Sequence, residues 1–168
     1  MTSLRTSSRT ISPEVRCLNK AQIMGILPHR GRMLLLDSVS VQPDFARSRF
    51  IVTLEVCKGH EVAGGRPLFR GVDMIEMAAQ TLGVYWAVKR PELKGRTVLF
   101  RSVGKVKFRG WVSLGQEVQV SIPLREVAER FAPKGAAELI GKNIIVGSSG
   151  AKKAQIASLT LVLLSNKS

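Results

Sequence analysis

"GVDMIEMAAQTLGVYWAVKRPE" (residues 71–92) decides the fold. From Val72 to Val88 the run is apolar on nearly every side, with Met74, Ile75, Met77, Ala78, Ala79, Leu82, Val84, Tyr85, Trp86 and Ala87. A helix of that kind has to be surrounded by other elements. Pro91 stops it, because a proline has no N–H with which to continue the ladder. Inside the run stands Glu76, a carboxylate that is costly to keep among apolar neighbours without a partner.

On the N-terminal side, residues 58–71 read as an irregular loop marked by Gly59, Gly64, Gly65, Pro67 and Gly71. Ahead of it, "RSRFIVTLEVC" (47–57) alternates. Phe50, Val52, Leu54 and Val56 face one way, Arg49, Thr53 and Glu55 the other, with Ile51 the exception. That period predicts a half-buried strand. "MLLLDSV" (33–39) predicts a mostly buried strand, and "LNKAQIMGIL" (18–27) a short amphipathic helix followed by a turn at Pro28 and Gly31.

On the C-terminal side the pattern is strands. "TVLFRSVGKVKFRG" (97–110) is one bent strand or two, and "EVQVSIPL" (117–124) alternates cleanly. "AELIGKNIIVG" (137–147) and "AQIASLTLVLLS" (154–165) are joined by a hairpin turn within "GSSGAKK" (147–153). One apolar helix with about six strands predicts an α+β domain, an antiparallel sheet curled around the helix.

The chain has 168 residues, enough for one domain with a sizeable core. Hydrophobic residues make up 45% and charged residues 23%, a globular composition. The most apolar stretch, 71–88, is broken by Asp73, Glu76 and Gln80 and is not a membrane span. Two cysteines, Cys17 and Cys57, form no CxxC pair, which points to a reducing compartment such as the cytoplasm and to neither a disulfide framework nor a zinc site. A net charge of +14 favours an acidic partner. With 5% aromatic residues and no helix-turn-helix, zinc-finger or RNA-recognition signature, nucleic acid is the weakest choice. Residues 1–16 are Ser/Thr/Arg-rich with one acid, Glu14, and read as a disordered tail or an organelle-targeting segment ahead of a single domain over 17–168.

Four stretches together resemble the hotdog-fold 3-hydroxyacyl-(acyl-carrier-protein) dehydratases of the FabZ type. "ILPHRGRMLLLDSV" (26–39) is similar to that family's Leu-Pro-His-Arg opening and the strand after it. Gly59-His60 resembles the start of its Gly-His-Phe-Pro-Gly segment. "RPLFRGVDMIEMAAQ" (66–80) resembles the segment that leads into the central helix and carries the catalytic acid. "KVKFRGWVSLGQEVQV" (105–120) resembles its Lys-Phe-Arg strand and turn. Three departures stand out. Phe-Pro-Gly is replaced by Glu61-Val62-Ala63-Gly64, the His60-to-Glu76 spacing is about two residues longer, and Arg70 replaces a proline.

The resemblance implies a dehydration that needs a base, an acid for the leaving hydroxyl and donors for an oxyanion, with no metal or redox cofactor and the substrate carried on the phosphopantetheine of acyl-carrier protein. It implies His60 as base and Glu76 as acid, the latter fitting because burial raises a carboxyl pKa. Gly71, at the start of the helix, offers a backbone N–H to the thioester oxygen. Gln80, one turn after Glu76, holds its carboxyl. Phe69 and Val72, with Leu68, are candidates to line an acyl tunnel. Asp73 complements the helix dipole, while His29 and Asp37 serve the fold. In the family the histidine and acid of one site come from two subunits, which implies a homodimer or a dimer-based oligomer. Lys105, Lys107 and Arg109, alternating with Val106 and Phe108 and joined by Arg66, Arg70 and Arg101, are candidates for docking the acidic carrier protein. The residues leave two other readings open: a hotdog acyl thioesterase in which Glu76 activates water, and a non-catalytic acyl-binding subunit.

Overall fold

The computed structural model describes residues 15–62, 64–93, 95–131 and 136–164. The tail read over residues 1–16 lies outside them except for Val15 and Arg16. The chain begins with strand β1 (Arg16–Asn19) and helix α1 (Lys20–Met24). Asn19 starts α1 with a capping box: its side chain accepts from the Gln22 N–H at 3.0 Å, and the Gln22 side chain accepts from the Asn19 N–H at 2.9 Å. Strands β2 (Ser38–Val41) and β3 (Phe45–Ile51) follow, then a one-turn helix α2 (Leu54–Cys57), and the short strands β4 (Glu61–Val62) and β5 (Arg66–Phe69). The central helix α3 spans Gly71–Lys89. After it come β6 (Val98–Val103), β7 (Val106–Phe108), β8 (Val112–Ser113), β9 (Glu117–Pro123), β10 (Val127–Phe131), β11 (Ala137–Ser148) and β12 (Ala151–Leu163).

The main sheet is antiparallel, in the order β1-β2-β3-β9-β11-β12-β6. Two of its positions are filled by bent strands. β9 and β10 lie in succession along β11, and β6 and β7 along β12. The bend between β6 and β7 falls at Gly104, whose N–H donates to the Ser158 carbonyl at 2.8 Å, while Ala157 N–H donates to the Lys105 carbonyl at 2.9 Å. So 97–110 forms two strands of one edge. The β11–β12 hairpin turns on Ser149 and Gly150, both at positive φ (50° and 75°), the two-residue geometry that matches strand twist. A smaller sheet, β4-β5-β8, leads the chain into α3.

The sheet curls around α3, which touches β2, β3, β9, β11 and β12. Met74, Met77, Leu82 and Trp86 of the helix are fully buried against Val120, Ile122, Leu139, Ile144, Ile156 and Leu159. Each such side chain contributes about 1.5–3 kcal/mol of burial. Three polar side chains of α3 are also buried: Asp73, Gln80 and Thr81. The Thr81 hydroxyl lies 2.7 Å from that of Ser48 on β3, also buried.

Two predicted strands are corrected. Residues 33–39 are not a strand: a 3-10 turn covers Gly31–Met33, Leu34–Leu36 are buried without strand pairing, and β2 begins only at Ser38. The alternation of 47–57 belongs to β3 only as far as Ile51; residues 54–57 are helical and Leu54 is exposed. Val52 and Val56 are buried all the same, Val52 in the segment that follows β3 and Val56 in α2, so the alternation read from the sequence comes from more than one element. Among the described residues no helix is long and apolar enough to cross a membrane.

Candidate active site

The turn after α1 carries the first component. Arg30 folds back over it, its Nη1 donating to the carbonyls of Leu27 (2.7 Å) and His29 (2.7 Å) and its Nη2 to that of Met24 (2.8 Å). These bonds satisfy carbonyls of the turn and that of Met24, which the end of α1 leaves open. They also fix the backbone of His29, whose Nε2 lies 3.1 Å from Oε1 of Glu76.

The second component is the buried amide of Gln80. Its Nε2 donates to the Met33 carbonyl (2.7 Å) and to Oε1 of Glu76 (2.9 Å), and its Oε1 accepts the Leu35 N–H (2.9 Å). The unpaired segment 33–35 therefore bonds to a helix side chain where a strand would bond to a neighbour. Both donors to Glu76 meet on Oε1.

The hydrogen bond from His29 holds the Glu76 carboxyl below the usual carboxylate range. Burial pulls the other way, and the Gln80 bond adds to the lowering. The expected upward shift from burial is thus reversed by two donors. His29 Nδ1 is buried with no hydrogen-bond partner among the described residues.

His29, Glu76 and Gln80 stand at one end of a cavity of about 640 Å³. It runs along α3 past Ala79, Gly83 and Trp86, bounded by Leu27, by β6 at Val98–Phe100, and by Leu161 and Leu163 of β12. Its walls are mostly apolar, the form of a site for a small apolar group with a few convergent polar atoms.

Of the residues named from the sequence, this cavity brings together Glu76 and Gln80. His60 is exposed on the loop after α2, held by its backbone: its N–H donates to the Cys57 carbonyl (3.0 Å) and its carbonyl accepts from Leu68 (3.2 Å). Phe69 is buried against Phe50, ring centroids 5.9 Å apart, and Val72 is 62% exposed; neither lines the cavity. Gly71 opens α3 beneath Phe108, where a Cβ would meet the ring at 2.8 Å, so the position is a glycine for close approach. Arg70, in place of the family's proline, clamps Asp73 through two 2.7 Å bonds. Lys105, Lys107 and Arg109 are exposed on or beside β7. Asp37 serves the fold, bonded to Lys20 (2.9 Å) and to the Ile51 N–H (2.8 Å). Sequence reasoning assigned His29 the same task; the Leu-Pro-His-Arg resemblance was the available signal that it stands in the site. Among the described residues no three His, Cys, Asp or Glu side chains cluster as metal ligands.

A dehydratase named 3-hydroxyacyl-(acyl-carrier-protein) dehydratase FabZ, from Latilactobacillus sakei subsp. sakei, is 33% identical over 150 residues, covering 87% of this chain and 99% of the relative. This chain belongs to the FabZ dehydratase family. A FabZ dehydratase from Enterococcus faecalis is 37% identical over 132 residues, covering 76% of this chain and 92% of the relative. No family model matches the chain. The solved dehydratase heterocomplex ApeI:P from Xenorhabdus doucetiae superposes with a TM-score of 0.64 at 18% identity, covering 86% of this chain and 91% of that one. The fold is the hotdog fold, and in this FabZ-family chain its central helix carries Glu76 and Gln80 on the face that lines the cavity.

Proposed function

We propose that the protein dehydrates 3-hydroxyacyl thioesters on acyl-carrier protein to trans-2-enoyl thioesters, with the acyl chain in the cavity along α3. The observation that carries this reading is the Glu76 carboxylate, fixed by His29 and Gln80 at the mouth of an apolar cavity, in a member of the FabZ family.

The chemistry removes a proton from C2, breaks the C3–O bond and leaves a C2=C3 double bond and water. With Oε1 occupied by two donors, Oε2 of Glu76 is left to meet the substrate's C3 hydroxyl. The hydroxyl leaves as water by taking one proton from the Glu76–His29 pair. The pair enters the step with the carboxyl protonated and ends it as a carboxylate held by His29 Nε2 and Gln80 Nε2; the proton that is taken from C2 restores the pair before the next turnover. His60 of a second copy takes the C2 proton, as the family resemblance implies; its exposure on its own chain suits that role. The Gly71 N–H, at the positive end of a helix dipole, receives the thioester oxygen as charge develops on it. The substrate travels on the carrier's phosphopantetheine arm, and no redox group enters the sequence of steps.

The second copy has a surface to meet. Val98, Leu99, Phe100 and Val103 on the β6 edge, with Phe108 and Trp111, are all exposed, and β6 also walls the cavity. An open apolar strand edge calls for a partner strand. Lys105, Lys107 and Arg109 beside that edge would steer the acidic carrier.

The deciding assay supplies a 3-hydroxyacyl carrier thioester. Conjugated enoyl product is the expected result. Release of free thiol would mark a thioesterase, and binding without turnover an acyl-binding subunit; either outcome overturns the proposal.

A further inference from the structure

Trp86 lies about three helical turns, or about 15 Å, beyond Glu76 along α3. It lines the far part of the cavity and is 1% exposed. Its indole Nε1 donates to Oε1 of Glu129 on β10 at 2.9 Å. The other oxygen of Glu129 accepts from Arg90 Nε (3.1 Å) and Nη2 (3.0 Å), and the Arg90 guanidinium lies 5.2 Å from the centre of the Phe131 ring. The Glu129 side chain is only 8% exposed.

Filling volume would need only an apolar side chain. A carboxylate taken out of water behind a tryptophan is a costly arrangement; displacing the indole would take the donor from Glu129 Oε1, although Oε2 keeps its bonds to Arg90. The consequence is a fixed indole: swinging it out of the cavity would break its bond to Glu129. The channel is also narrow one turn earlier. A Cβ at Gly83 would stand 3.5 Å from Leu27 Cδ2 and 3.8 Å from Leu161 Cδ1, so the absence of a side chain there keeps the passage to Trp86 open.

We propose that Trp86, held by Glu129 and Arg90, is the floor of the acyl channel and restricts the enzyme to short and medium acyl chains. Trp86 is the specificity-determining residue and Glu129 its positioning residue. The inference rests on the dehydratase reading for the identity of the occupant, and it implies that an elongation reaction supplies chains well short of palmitoyl.

The test reads binding separately from chemistry. Affinities of the full chain are measured for carrier-bound saturated acyl thioesters, from butyryl to palmitoyl, which lack the hydroxyl and cannot be dehydrated. For the unaltered protein the expected profile rises to medium length and falls at palmitoyl. Trp86→Leu, which keeps an apolar side chain in the core, should move the maximum to longer chains, with palmitoyl gaining about tenfold or more relative to butyryl. Glu129→Ala should shift it the same way by less, and Glu129→Gln, which can still accept from the indole, should restore the original profile. Gly83→Val should move the maximum to shorter chains. Superimposable profiles for Trp86→Leu, Gly83→Val and the unaltered protein would overturn the inference. Dehydration of 3-hydroxybutyryl carrier is followed on the same samples. A normal length profile without dehydration leaves the channel floor standing and removes the dehydratase reading.

Discussion

His29 Nε2 sits 3.1 Å from Glu76 Oε1, so the histidine that touches the helix carboxylate within one chain belongs to the turn after α1, and His60 lies elsewhere on the surface. The two histidines then have separable tasks. His29→Ala removes the largest influence holding the Glu76 carboxyl low. An NMR titration of Glu76 should show its pKa rising in that variant, with kcat falling about 100-fold or more if the pair supplies the proton. An unchanged Glu76 titration would separate the two residues.

His60 and Glu76 are proposed to meet across copies, and mixing tests this. His60→Ala and Glu76→Gln should each lose about 100-fold or more. Unfolding and refolding them together should recover a measurable fraction of activity, because mixed dimers hold one site with both groups intact. His29→Ala mixed with Glu76→Gln should recover none, since those two act within one chain. Equal recovery in both mixtures, or none in either, contradicts the assignment.

The lowered pKa of Glu76 carries a stability signature. A carboxyl whose folded pKa lies below its unfolded value contributes stability above the unfolded value and loses it as pH falls through the folded one. The loss should therefore begin near the ordinary glutamate value of about 4.3 and continue to lower pH. Urea midpoints measured from neutral pH downward should fall more steeply for the unaltered protein than for Glu76→Gln; a steeper fall in the variant would reverse the sign.

The Ser48–Thr81 pair offers a test of the core. Thr81→Val keeps volume and leaves the buried Ser48 hydroxyl without its 2.7 Å partner. The cost should be about 1–3 kcal/mol, seen in calorimetry as about 2–4 °C of Tm per kcal/mol at this size. Adding Ser48→Ala should return part of that loss. Further destabilisation in the double variant would show that the pair is not coupled in this way.

Much of this was legible beforehand. α3 was, because an apolar run closed by Pro91 admits few alternatives, and residues 117–124 and 154–165 were, because their alternation is long. Residues 33–39 were misread because burial alone does not specify pairing: the donor at Leu35 and the acceptor at Met33 are satisfied by Gln80, a residue far along the chain. The helical turn at 54–57 interrupts the alternation with no Gly or Pro to mark the change of element. The place of His29 was legible only through resemblance, since its distance from Glu76 in sequence holds no information about a contact made by the turn that Arg30 pins. The lowered carboxyl followed from that contact and was missed with it.

α3 has apolar surface on almost every side, and apolar attraction has no preferred direction. Burial alone would hold the helix in place while leaving it indifferent to rotation about its own axis. The azimuth is set by a few directional contacts with the rest of the fold: Thr81 to Ser48, and Gln80 to Met33 and Leu35. Each residue of slippage turns the helix by about 100° and would carry Glu76 away from His29. These contacts work as an index pin. Removing several of them would yield a protein that remains folded with its carboxylate aimed at the wrong wall.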